Sequence, residues 1–188
     1  ATFGNLQRLL ESNEEIYIPH VIESSKILPD DGETPKELWG YMTAQGISLA
    51  EIQAPDRKRI ICMALATKDG RDQGRPSSWS GAVDQFSAGV QDDEKRLILL
   101  CAGNYTCNLQ DLKEYPNIQI TDSIHDPAQA WNAVTVGAYT NLTELTDPSL
   151  NGYRSIARSG ELSPYSTTSF DWEKKWPIKP EIVFEGGN

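Results

Sequence analysis

Apolar and polar positions along this chain alternate between helical spacing and short unbroken apolar runs. Residues 33–53 carry the first helical pattern: Leu38, Met42, Leu49 and Ile52 recur at intervals that share a helix face. Thr34 is placed to cap it, Pro35 suits its first turn, Glu37 completes a capping box, and Pro55 ends it. Residues 59–66 follow as a nearly continuous apolar run closed by Lys68-Asp69-Gly70, which predicts a strand buried on both faces and hence a parallel sheet.

The pattern then repeats. Ser77 or Ser78 can cap a helix with Trp79, Val83, Phe86 and Val90 on one face, leading into a strand over residues 96–101 and completing a βαβ crossover. Asp126 and Pro127 are predicted to open a helical turn through Trp131, ahead of a strand over 133–138. After a long stretch rich in Ser, Thr and Pro comes a last strand over 181–184. Ile16-Tyr17-Ile18 and residues 25–28 offer two further short strands. The expectation is an α/β fold, three layers deep, with helices on both faces of a mostly parallel sheet.

Composition narrows the function classes more than the fold. With 188 residues, 38% hydrophobic and 23% charged, one domain with a real core is the default. Seventeen basic against 27 acidic residues leave a net charge of -10, so neither nucleic acid nor an anionic membrane surface is an expected partner. No apolar stretch is long enough for a bilayer span, and residues 1–10 lack the layout of a secretory signal. A start at Ala1 rather than Met is what a trimmed or processed product would show. Three cysteines, Cys62, Cys101 and Cys107, fit neither a disulfide framework nor a zinc site; Cys62 and Cys101 read as buried small hydrophobes and favour a reducing, cytoplasmic compartment.

Sites in open α/β sheets lie beyond the carboxyl ends of the strands. Two such ends stand out, Ala64-Leu65-Ala66 with Thr67, and Cys101-Ala102-Gly103-Asn104. The second places a side-chain amide directly after a buried strand, with a glycine that lets a ligand approach the backbone. An amide there can stabilise a developing oxyanion, although Gly-Asn is also a common way to leave a sheet.

The wider frame supplies a resemblance. The strand ending Ala102-Gly103-Asn104, the strand Val134-Thr135-Val136-Gly137-Ala138, and Ser166 to Ser169 with Lys179-Pro180-Glu181-Ile182-Val183 follow in the order found in subtilisin-like serine proteases (subtilases). Cys62-Met63-Ala64-Leu65-Ala66 resembles that family's Met-Ser-Leu-Gly-Gly strand, whose edge pairs with extended substrate. Ala64 stands where the family usually has serine, and Ala66 where it usually has glycine, so the family's substrate preference is not carried over. The resemblance covers roughly residues 45–188.

It implies a serine endopeptidase that needs no organic cofactor and acts on a peptide or protein. Asn104 would donate to the oxyanion, while Ala64, Leu65, Ala66, Cys101, Ala102 and Gly103 would wall the substrate residue before the scissile bond. Neither His20 nor His125 lies in a His-Gly-Thr setting, and no Gly-Thr-Ser is present. The expectation is therefore the central part of one peptidase domain, 1–188, lying between the catalytic histidine and serine and inactive alone. The alternative is a noncatalytic α/β peptide-binding module. A nucleotide-binding domain is disfavoured, since both glycine-rich phosphate motifs are missing.

Other polar clusters carry less. His20 with Glu23, and His125 with Asp126, lack metal spacing and suggest surface or capping roles. Asp30-Asp31-Gly32, Asp92-Asp93-Glu94 and residues 70–75 read as solvated loops, and Trp131, Trp172 and Trp176 as packing residues.

Overall fold

A computed structural model describes the chain except residues 1–5, 14, 16, 69, 71, 106–110 and 188. Ile16, Asp69, Arg71 and Cys107 thus lie outside the described residues. Four strands run parallel: β1 (Ile60–Met63), β2 (Leu97–Cys101), β3 (Val134–Thr140) and β5 (Ile182–Glu185). β2 pairs with β1 and β3, and Val136 faces Cys101 on one edge of β3 and Ile182 on the other. A two-residue strand, β4 (Glu161–Leu162), joins the end of β3 antiparallel. The sheet is mostly parallel and the fold is α/β, as the alternating pattern predicts.

Helix α3 (Ser78–Ala88) forms where capping and periodicity agree. Ser77 and Ser80 complete a reciprocal capping box, and Gly89 closes the helix at φ 70. Trp79 and Val83 are buried against Met63, Ile98 and Leu100, and Trp79 Nε1 donates to Thr43 Oγ1 at 2.9 Å. That bond removes the penalty of burying an indole N–H. Val90, expected on the same face, lies past the helix and is exposed.

Helix α2 (Trp39–Gln53) departs from expectation. Its start is preceded by a 3-10 turn, Lys36–Leu38, and neither start carries a side-chain cap. The predicted box does not form, and the Thr34 carbonyl instead accepts from Trp39 Nε1 at 2.9 Å. The buried face is Gly40, Thr43 and Gly46, while Leu38, Leu49 and Ile52 are exposed. Close approach explains this: a Cβ on Gly40 would lie 2.6 Å from Ala82 Cβ on α3, and one on Gly46 would lie 2.6 Å from Ile27 Cγ2.

Further corrections follow from where backbone groups find partners. The strand expected over 59–66 ends at Met63, because Ala64 onward leaves the ladder. It is an edge strand with Ile60 and Cys62 exposed, not one buried on both faces. Residues 126–129 form turns rather than a helical turn. Asp126 there spends its carbonyl on Thr67 N–H and its N–H on Thr67 Oγ1. Tyr17, Ile18 and residues 25–28 are not strands; Ser25 Oγ donates to the Gly46 carbonyl at 2.9 Å instead. The short helices α1 (Leu6–Glu11) and α4 (Asn117–Thr121) carry no helical pattern in the reading above.

Candidate active site

The ladder between β1 and β2 ends at the pair Met63 and Leu100. Beyond it the two strand ends are tied together by residues from elsewhere. His125 N–H donates to the Ala102 carbonyl at 3.0 Å, and His125 Nδ1 lies 2.8 Å from the Thr67 carbonyl. A carbonyl only accepts, so Nδ1 carries the proton in that bond. Asp126 adds two bonds to Thr67, accepting its N–H at 2.8 Å and donating to Oγ1 at 3.1 Å. His125 and Asp126 are buried, 4% and 7% exposed, which overturns their expected surface or capping roles. Their environment gave a signal: apolar Ile124 precedes them, and the small residues Ala128 and Ala130, both fully buried, follow.

Asp126 also connects the site to α3. Its Oδ1 accepts from Ser77 Oγ at 2.5 Å and from Gln129 Nε2 at 2.9 Å. Burial pushes this carboxyl above its ordinary range, with the bonds from Ser77 and Gln129 opposing the rise.

At the end of β2 each residue has a distinct job. Ala102 is buried, so it offers backbone rather than side chain; its N–H donates to the Val136 carbonyl, and its carbonyl accepts from His125 N–H and, at 2.8 Å, from Thr167 Oγ1. Gly103 sits at φ +109, and a Cβ there would lie 2.4 Å from His125 Cγ. Glycine is required twice over, by the dihedral and by the ring beneath it.

Asn104 is exposed and bridges antiparallel to Ser166, while Tyr105 N–H donates to the Tyr165 carbonyl at 3.0 Å. Its backbone is thus held from both sides, and its side-chain amide has no hydrogen-bond partner among the described residues. Ala64 is exposed, and Leu65, Ala66, Cys101 and Gly103 are half-buried. Burial pushes the Cys101 thiol up, which disfavours the nucleophilic thiolate. Cys62, expected to be buried, is exposed.

The Lys179-Pro180-Glu181 run organises the neighbouring strands. The Lys179 side chain is fully buried, and its ammonium donates to the Ala133 carbonyl at 3.0 Å and to Glu181. Glu181 Oε2 accepts Thr135 N–H at 2.7 Å, and Lys179 and Ser169 exchange backbone and side-chain bonds. Gly137, packed against Pro180 and Ser166 Oγ, completes the contact between these segments.

A groove of ≈ 390 Å³ lies elsewhere, between α2 and α3, lined by Tyr41, Gln45, Gln85, Phe86 and Val90 among others. Its lining includes the hydroxyls of Tyr41 and Ser48 but no histidine or cysteine, and Arg96 and Asp92 at its edge are paired with each other, Arg96 also with Glu51. The chemistry favours the strand ends over this groove. Among the described residues no group of three His, Cys, Asp or Glu is placed to hold a metal ion.

The braced turn and the exposed Asn104 amide thus lie at the carboxyl edge of a mostly parallel α/β sheet, where such folds place their ligand sites. The family model of the subtilases matches residues 9–188, and the chain belongs to the subtilase family, a family of serine proteases. No curated protein matches the chain.

Proposed function

We propose that this chain forms the oxyanion and substrate-cleft portion of a subtilisin-like serine endopeptidase. In this reading residues 1–188 are the central part of one domain, and the nucleophile, base and orienting aspartate lie outside them. The observation that carries it is the Asn104 amide, exposed and without a hydrogen-bond partner among the described residues, at the end of β2 on a backbone pinned by Ser166 and Tyr165.

In acyl transfer a serine Oγ attacks the scissile carbonyl, and negative charge gathers on its oxygen. A donor fixed beforehand stabilises that charge without reorganising during the reaction. Asn104 suits this role because its turn is set by Gly103 and its neighbours' bonds rather than by the ligand. Ala64, Leu65 and Ala66 on one side, with Cys101 and Gly103 and the Ala102 backbone on the other, wall the substrate. His125 is not assigned as the base here, since its ring is buried beneath Gly103 and lies outside a His-Gly-Thr setting.

The complete protein should react with a fluorescent fluorophosphonate. Peptide mapping should place the adduct on a serine outside residues 1–188, and this chain expressed alone should stay unlabelled. No labelling of the complete protein, in conditions where a related protease reacts, would leave a noncatalytic peptide-binding module. An adduct on a serine within 1–188 would contradict the division of roles.

A further inference from the structure

The strand-end brace reaches further than holding two loops together. We propose that His125 is a positioning residue for the Asn104 donor, a role that rests on the oxyanion reading of Asn104 above. Three contacts carry it. The ring lies directly beneath Gly103, so close that a Cβ on that residue would meet Cγ, Cβ and Nδ1 at 2.4, 2.8 and 2.8 Å. Nδ1–H fixes the ring by donating to the Thr67 carbonyl at 2.8 Å. The backbone N–H of the same residue holds the Ala102 carbonyl, one residue before the glycine, at 3.0 Å.

Gly103 is where the chain turns from β2 toward Asn104, at φ +109. The direction of the Asn104 amide therefore depends on the plate that Gly103 rests on. The ring is buried and its Nδ1 proton is engaged, so it acts through Gly103 rather than on substrate. Asp126 steadies it from the next position through both bonds to Thr67 and the link to Ser77.

The test uses the complete protein and a fluorophosphonate, whose phosphoryl oxygen takes the oxyanion position as the serine Oγ–P bond forms and fluoride leaves. His125→Ala should lower the maximal phosphonylation rate about ten- to hundredfold, the effect of a small misplacement at a reacting centre, with the half-saturating probe concentration nearly unchanged. His125→Asn, whose amide can still donate to the Thr67 carbonyl, should recover part of the rate. In an Asn104→Ala background, His125→Ala should add little further loss, because the group it positions is already gone.

Full additivity of the two losses, an unchanged rate in His125→Ala, or a loss carried mainly by weaker probe binding would each overturn the positioning role. If His125→Ala does not fold, His125→Asn must show the same non-additivity with Asn104→Ala, at its smaller loss. The Asn104→Ala single variant separates the two claims. A wild-type rate there defeats the oxyanion reading itself, whereas a reduced rate with additive His125 loss defeats only this inference.

Discussion

At the scale of single residues, the polar groups beneath the ends of β1 and β2 are the ones with the largest consequences. Asp126 is pushed above its ordinary range by burial, so the native state binds that proton more tightly than the unfolded chain does. Below the unfolded value both states are protonated and nothing is lost. As pH rises from there through the native value, the unfolded chain releases the proton first, and stability falls before levelling off. Asp126→Asn keeps an oxygen for Ser77 and Gln129 and removes the titration. Its stability relative to wild type should therefore rise between acid and neutral pH, as read from thermal melts across that range. Parallel profiles for the two proteins would show that Asp126 titrates alike in both states.

Asn104 was singled out in the sequence by the order of flanking strands, and its place just past the end of β2 was legible there. His125 and Asp126 were not legible, because their partners Thr67 and Ser77 lie about fifty to sixty residues away and satisfy them only in the folded chain.

Elements show a different boundary between pattern and packing. α3 was readable because its capping serines, its apolar face and its burial coincide. α2 was readable as a helix but not as to its buried side. Periodicity marks where bulky apolar side chains recur, whereas α2 packs by leaving room at Gly40 and Gly46. Gly40→Ala should thus destabilise the complete protein by about 1–2 kcal/mol, because crowding against Ala82 outweighs the roughly 1 kcal/mol gain in helix propensity. Ile52→Gln, on the exposed side, should stay within about 0.5 kcal/mol. Denaturant midpoints decide this, and the reverse ranking would restore the apolar face as the packed one.

The Lys-Pro-Glu run gains a physical reason at this scale as well. Lys179→Met fills the same space but leaves Glu181 and the Ala133 carbonyl without their cation, and should cost about 3 kcal/mol or more. A neutral effect on the midpoint would mean that the pair adds nothing over an apolar side chain.

Seen whole, the molecule is a parallel sheet with α2 and α3 packed over Met63, Ile98 and Leu100. The opposite positions carry exposed apolar side chains at Ile60, Leu97, Ile182 and Phe184. The mostly parallel direction of the strands and the family were foreshadowed by the sequence, since a parallel pair needs a crossover connection, which α3 supplies between β1 and β2. Strand ends were less so: Ala64 and Ala66 continue an apolar pattern in composition while their backbone leaves the ladder.

The account stands on one donor at the carboxyl edge of that sheet, and steady-state kinetics of Asn104→Ala in the complete protein test it most directly. Turnover of a chromogenic peptide anilide should fall about a hundredfold to a thousandfold with KM little changed, a magnitude that characterises this donor in subtilisin itself. Turnover like that of the wild type would contradict the account, as would a loss expressed only in KM.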